Sequence, residues 1–382
     1  MSSSVVLSVL IIGGGATGSI IASTLGKLSK TSALWEKSTS TGRISHSIAR
    51  KSASGSVADL GAQYFTLGRS TRSEGDTCLG ELLKAGILLP MGAPLSGEAT
   101  RHKGYSHLVA PLGAGSVIRY FRDKAIAAGV TCHEATRLTS LNAVVAPGAK
   151  EGSPLIWRAE AECGRVSFAH KVVLTVPAPQ LPALQGDALR VALAQPTVVD
   201  ALSTVTYDTR LALALFYSPT DAHRMSEIAP WTGHFIDNDP IVRYLSYETR
   251  KRIVGGGGNT SDFPCLVVHS TASFGALHET TLDVGRAVET TMMSSTYNNL
   301  ATITGVHDVS TLPQPIETRV HRWRYAQVTK RANIPLTDAS LIISNSPTLI
   351  LAGDYLSSTG NFSGACESAA DATKALEIVP TS

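Results

Sequence analysis

The chain opens on an unbroken apolar run, Val5 to Ile12, which passes directly into Gly13-Gly14-Gly15-Ala16-Thr17-Gly18. Apolar positions at helical spacing follow over Ser19 to Leu28, then a second short run, Ala33 to Glu36. Strand, tight turn, helix, strand is the pattern of a βαβ unit with strands buried on both faces. Ser38 to Ser56, rich in Ser, Thr, Gly and Arg, reads as a loop, and Val57 to Phe65 as a short extended segment. Helical spacing returns over Ser116 to Ala128, with Gly129 placed to end it. Lys171 to Val176 is a β-branched and apolar run stopped by Pro177, Pro179 and Pro182, as expected of a central parallel strand leaving its sheet.

The middle of the chain has a different rhythm. Thr204 to Tyr217, Ile241 to Tyr247 and Cys265 to Thr271 read as strands with long connections, and Leu282 to Leu300 as a helix. Gly255 to Gly258 reads as a flexible exposed tip. Leu349 to Ala352 is a further buried strand that runs into Gly353-Asp354, and Asn361 to Leu376 a loop leading into a last helix. The expected fold class is therefore α/β: a Rossmann-type dinucleotide-binding domain and a second domain of mixed sheet plus helix. The first is expected to be discontinuous, from 1–66, 108–180 and 338–382, with 67–107 and 181–337 forming the substrate domain.

Composition narrows the function classes. At 382 residues the chain exceeds one ordinary core, and 43% hydrophobic residues, 16% charged and 33 Gly suit a loop-rich globular protein. A net charge of +3, with Lys51, Lys124 and Lys171 far apart, gives no nucleic-acid footprint. Five cysteines without a CxxC pair argue against a disulfide framework or structural zinc. No basic residue precedes the Val5 to Ile12 run, which ends in glycines, so it is not read as a signal peptide. No apolar stretch approaches the roughly 20 residues of a membrane span, so the expected compartment is the cytosol, with no membrane partner. Asn259-Thr260-Ser261 matches a glycosylation acceptor, a triplet that also arises by chance.

The candidate chemistry starts at Gly13-x-Gly15-x-x-Gly18, whose glycines allow a tight turn and let backbone N–H groups approach a pyrophosphate at a helix N-terminus. Glu36 ends the second strand 18 residues after Gly18. A carboxylate there accepts hydrogen bonds from an adenosine ribose and repels a 2′-phosphate, which points to FAD or NAD. FAD needs further segments for its ribityl chain and fused rings, and three are available. Gly42-Arg43 brings a cation for the phosphates or the flavin edge. Leu60-Gly61-Ala62-Gln63-Tyr64 combines close backbone approach with an amide and a ring. Gly353-Asp354 with Gly360-Asn361-Phe362-Ser363-Gly364 offers a carboxylate for a ribityl hydroxyl, and a helix start near Ser363 to Cys366 suited to negative charge at the flavin N1/C2 edge.

Taken together, Gly13 to Gly18, Glu36, Gly42-Arg43, Asp59 to Tyr64, Leu174-Thr175-Val176-Pro177 and Gly353-Asp354 with Asn361-Phe362 resemble the amine-oxidase-like flavoproteins. Within that group the chain is most similar to the renalases. That likeness is carried by Val109-Ala110-Pro111-x-Gly113, Leu184 to Asp187, Leu213 to Tyr217, Pro230-Trp231-x-Gly233, Leu312 to Ile316 and Trp323-Arg324-x-x-Gln327-Val328-Thr329. The resemblance implies a p-hydroxybenzoate-hydroxylase-like fold with non-covalent FAD. The implied activity is oxidation of 2- and 6-dihydro isomers of NAD(P)H to NAD(P)⁺, with O₂ leaving as hydrogen peroxide. An older view of the family is amine oxidation. Thr17, Arg43, Gly61 and Ala62 are then implied FAD contacts, with Lys37 and Leu138 completing the candidate cofactor set. The chain departs from the family in carrying Thr41-Gly42 where a double glycine is usual, and in apparent insertions at Ala146 to Ser153 and Gly255 to Ser261.

On the substrate side a dihydropyridine gives up hydride with little acid–base help, because aromatisation drives the step and positioning is the main task. Read as a strand, Arg319 to Tyr325 places Arg319, His321, Trp323 and Tyr325 on one face and Val320, Arg322 and Arg324 on the other. Trp323 and Tyr325 are the expected pocket walls, with Tyr64 next and Trp231 with His234 behind them. Arg243 and Arg324 are candidates for substrate phosphates. The expected partners are a dihydronicotinamide nucleotide and O₂, acting on a monomer or weak dimer. Two other classes remain open: a true amine oxidase, for which no lysine beside flavin N5 is placed, and a non-catalytic binding protein on the fold of the Rab GDP-dissociation inhibitors.

Overall fold

The computed structural model describes residues 5–27, 31–39, 42–44, 47–48, 57–68, 73–97, 105–254, 264–280 and 285–378. Thr41, the Gly255 to Gly258 tip and the Asn259-Thr260-Ser261 triplet lie outside them.

The first sheet is organised around Val6–Ile12, which pairs in parallel with Ser32–Trp35 on one side and Val166–Leu174 on the other. Thr131–His133 adds a further parallel strand beyond Ser32–Trp35. Val166–Leu174 takes two partners along its far edge: its first part pairs antiparallel with Leu155–Ala161 and its second in parallel with Thr348–Ala352. The last segment of the chain is thereby tied to the first. Leu138–Val145 and Ser340–Asn345 complete the eight strands described.

The apolar runs are explained by burial on both faces. Val9, Ile11, Val173 and Ile350 pack toward residues of the helices Ala16–Lys27, Gly115–Ala127 and Phe362–Ile378. The alternate residues Leu10, Ile12, Val172, Leu174, Leu349 and Leu351 pack with Trp35 and Trp157. Each such large side chain contributes about 1.5–3 kcal/mol on burial, so the register of these strands is strongly specified.

A second sheet runs in the order Glu317–Lys330, Thr206–Phe216, Cys265–Ser270, Val242–Tyr247, Gly233–Phe235 and Leu95–Ser96, antiparallel except for its last pairing. Leu211, Leu213, Leu215, Leu266, Val268 and Leu245 turn one face to Val288, Met292 and Leu300 of the helix Arg286–Thr304. Small residues, Ala212 and Ala214, occupy the other face with Phe216 and Val267, packing on Ala58, Leu60 and Trp323. This face borders the candidate site. The fold class is thus α/β, a Rossmann-type sheet joined to a mixed sheet with helices.

Two expectations shift. Val57 to Phe65 is not one extended segment: Val57–Ala58 and Phe65–Leu67 are separate strands, and the chain between them bends as the Asp59 carboxylate accepts from Ala114 N (2.7 Å). The helix expected from Leu282 begins at Arg286 and ends at Thr304, before Gly305, which takes the left-handed conformation (φ +71°) that closes a helix. Residues 146–154 form the connection of an antiparallel hairpin. Among the described residues no helix is long and apolar enough to cross a membrane.

Candidate functional site

A cavity of about 1470 Å³ opens where the Gly13 to Gly18 turn, the end of the first sheet and the small-residue face of the second sheet converge. That exceeds the roughly 300–1,000 Å³ of a drug-sized ligand site, so it has room for a long ligand and a second molecule.

At the nucleotide end the glycines have divided tasks. A Cβ on Gly18 would overlap the carbonyl oxygen of Gly13, so this position serves close packing of helix on turn and does not line the cavity. A Cβ on Gly15 would have nothing within 4 Å and would project into open space, the cradle a pyrophosphate requires. Gly13, Gly15, Ala16 and Thr17 line the cavity at the start of the helix Ala16–Lys27, whose first N–H groups lack intrahelical acceptors. Glu36 is anchored beside them. Its Oε2 accepts from Gly14 N (2.7 Å), and its Oε1 from Ser38 N (2.9 Å) and Ser38 Oγ (2.8 Å). Lys37 reaches Gln180 Oε1 at 3.4 Å, and Leu138 lines the same end. In this wall Trp35 Nε1 and Tyr355 Oη are buried without a hydrogen-bond partner among the described residues, polar atoms suited to a ligand carrying donors and acceptors.

Farther along, Arg43 and Asp354 meet across 311 residues of sequence in a two-pronged pair, 2.8 Å at each prong. Both had been expected to address a ligand directly, and both line the cavity, but each also holds the other. Burial opposes the Arg43 charge, and Asp354 outweighs it, so the guanidinium is held more firmly protonated than usual. Gly61, Ala62, Gln63, Gly353, Asn361 and Phe362 line the cavity too. Asn361 Oδ1 accepts from Gly364 N (3.2 Å) and caps the helix Phe362–Ile378, while Phe362 meets Phe65 edge-on at 5.2 Å.

The opposite end is aromatic. Tyr64 lies edge-on to His107 (5.0 Å) and beside Tyr244 (6.3 Å), which in turn neighbours Phe235 (4.8 Å) and His269 (6.1 Å). Trp323 lies against His321, the two rings tilted with centroids 4.0 Å apart, and donates from Nε1 to Leu60 O at 2.8 Å. Tyr325 packs edge-on against Tyr207 at 5.4 Å. Both Trp323 and Tyr325 line the cavity, but Val320, Arg322 and Arg324 do so as well. The two-face partition expected of Arg319 to Tyr325 does not exclude them: Glu317–Lys330 is the sheet's edge strand, and its pairing is irregular between Trp323 and Gln327.

Trp231 and His234 are elsewhere. Trp231 is in the core between sheet and helix, and His234 Nδ1 is 2.6 Å from Ser96 Oγ, its pKa lowered by burial. Phe235 lines the cavity, so the alternation of the strand Gly233–Phe235 turns His234 away.

Sequence reasoning missed Tyr244, His269 and a buried quartet behind Gln63. The quartet pairs Lys251 with Asp59 (3.1 Å) and Glu248 (2.5 Å), and Arg252 with Glu248 (2.9 Å) and Asp59 (3.4 Å). Two carboxylates and two cations cancel, and Asp59 N and Ser246 Oγ also donate to Glu248. His269 had a signal: in Cys265, Val267, His269 it is the lone polar member of an apolar alternation. Burial pushes the Asp59 carboxyl up, yet Lys251, Arg252 and the Ala114 N–H together draw it below its ordinary value. A depressed folded pKa contributes stability that is present above the ordinary carboxylate value, about 3.9, and is lost as pH falls from there through the lowered folded pKa. The urea midpoint is therefore expected to drop steeply below about pH 4. Asp59→Asn should be less stable at neutral pH and show a shallower acid slope; an unchanged slope would rule this source out.

Comparison with known proteins adds two findings. The family of NAD(P)-binding Rossmann-like domains matches residues 11–74. Renalase of Mus musculus is 30% identical over 372 residues, covering 97% of this chain and 98% of that protein.

Proposed function

Because the chain belongs to the renalase family, we propose that it is an FAD-dependent oxidase that takes a hydride from 2- and 6-dihydro isomers of NAD(P)H, giving NAD(P)⁺ and hydrogen peroxide. The observation that carries this reading is one continuous cavity with a nucleotide cradle at Gly15, Thr17 and Glu36 and an aromatic wall of Tyr64, Phe235, Tyr244 and Trp323 at its other end. Open space above Gly15, the unpartnered Trp35 Nε1 and Tyr355 Oη, and the cavity's volume suit FAD. Gly13, Gly15, Thr17, Glu36 and Lys37 would hold its nucleotide half, and Arg43, Gly61, Ala62, Gln63 and Asp354 the remainder.

When bound, FAD supplies the two-electron acceptor. The protein's own work is binding and exclusion of water. The aromatic wall receives a flat dihydropyridine ring, and Arg243, Arg322 and Arg324, all on the cavity lining, suit the phosphates of a nucleotide donor. One C–H bond of the donor breaks, its hydrogen leaves with the electron pair, and a pyridinium remains. O₂ finally takes both electrons, with one further proton from water, as hydrogen peroxide. No side chain need remove a proton from the donor.

Purified protein is expected to be yellow, and anaerobic mixing with 6-dihydro-NAD to bleach the flavin absorbance rapidly. A flavin unchanged by dihydronicotinamides and bleached by a primary amine would replace this reading with amine oxidation. A colourless protein that does not take up FAD would remove both.

A further inference from the structure

Lys251, on the short helix Glu248–Arg252, is 1% exposed, and besides its two carboxylates it lies 3.2 Å from Gln63 Oε1. An ammonium only donates, so the Gln63 atom facing it is the carboxamide oxygen. The far side of the amide agrees, since Gln63 Nε2 faces the carbonyl oxygens of Asp59 and Gly61. A flipped amide would turn oxygen toward two carbonyls and NH₂ toward an ammonium. The same Nε2 is 3.2 Å from His269 Nε2. An amide nitrogen accepts no hydrogen bond, so a proton on this ring nitrogen would face a donor; the ring nitrogen is the bare one and shares the two amide hydrogens with the two carbonyls. The ring proton then resides on Nδ1.

We propose that Lys251 is a positioning residue that acts through Gln63 to hold His269 as the neutral Nδ1–H tautomer, so that this part of the cavity wall offers an aromatic ring and no group that takes a proton from substrate. The proposal deepens the oxidase reading, on which its consequence for substrate class rests. Donors oxidised by loss of hydride alone are served by such a wall, and donors that must also surrender a proton to the protein are not.

The surroundings of His269 act in the same direction. Burial is the largest influence on the ring, followed by Arg210 on the strand Thr206–Phe216 and by Lys251, and together they bring its pKa down to about 3. His321, on the strand Glu317–Lys330, has its own pKa lowered by burial, and burial keeps the Tyr244 phenol protonated. Trp323 Nε1 donates to Leu60 O and brings no charge, while Asp59, Glu248 and Arg252 balance Lys251 from behind.

The test is ¹⁵N NMR of the FAD-loaded protein labelled at histidine, in the wild type and in Lys251→Met. Wild-type His269 is expected to show a protonated Nδ1 and bare Nε2 with no titration between about pH 5 and about pH 8. In Lys251→Met the amide is free to turn and its hold on the ring is lost, so His269 should show a mixture of Nδ1–H and Nε2–H tautomers, while burial and Arg210 still keep its pKa below the ordinary value. Gln63→Met leaves the four charges in place and carries the same expectation should Lys251→Met fail to fold. An Nε2–H tautomer or a titrating ring in the wild type overturns the proposal. So does a folded variant with an unchanged ring. The tautomer is read without turnover, so a protein with the expected ring but no response to dihydronicotinamides would defeat the oxidase reading and leave the Lys251 relay standing.

Discussion

Gly18→Ala is expected to unfold the N-terminal unit at temperatures the wild type tolerates, whereas Gly15→Ala should keep the wild-type melting temperature and lose the nucleotide. The two glycines belong to one motif and differ in what surrounds them. A methyl at residue 18 overlaps the backbone oxygen of Gly13, which has no rotamer to escape into, and forcing the helix off the turn costs about 3 kcal/mol or more. That corresponds to a fall in melting temperature on the order of 5–10 °C. A methyl at residue 15 meets no protein atom within 4 Å, so the fold is spared. It does stand where a pyrophosphate approaches the backbone, and affinity for FAD should fall at least about tenfold. Thermal unfolding without added FAD, and fluorescence titration of FAD into each variant, separate the two. Equal stability of both variants would contradict the packing role of Gly18, and undiminished FAD binding by Gly15→Ala would contradict the cradle.

The second large effect is expected from Asp354→Ala. Its carboxylate closes a two-pronged pair with Arg43 and brings the 42–44 segment against the C-terminal part of the chain. Removing one partner of a fully buried pair costs about 3–5 kcal/mol. The Arg43 side chain is 35% exposed, so water relieves part of that cost and about 2 kcal/mol is the better expectation, roughly thirtyfold in FAD affinity. Isothermal titration of FAD into the variant measures it directly. Retained affinity would mean that the pair is a strut independent of the cofactor.

Local patterns were readable where the cause was local. The Val5 to Ile12 strand, the glycine turn and the following helix depend on side chains within a few residues of each other, and the structure has them as Val6–Ile12 and Ala16–Lys27. The run before Pro177 reads as a central strand because both its faces are covered by apolar partners. The same reasoning failed to separate Trp231 and His234 from the aromatic wall, since composition does not say which face of a short strand meets the cavity. It expected Arg43 and Asp354 at the cavity, where both lie, but gave no sign that they hold each other, because a pairing over 311 residues leaves no trace in spacing.

The amino-acid order alone determined the βαβ start, the α/β class, the glycine cradle with Glu36 and the family likeness, because each rests on periodicity or on motifs contiguous in the chain. Tertiary structure alone decided that Lys251 stands behind Gln63 and that His269 and Tyr244 join the cavity wall. It also decided that a row of small residues on Thr206–Phe216 lies on the sheet face bordering that cavity. The physical reason is that burial and charge pairing depend on distance in space, and the strands that bring these groups together are adjacent in the sheet while remote along the chain.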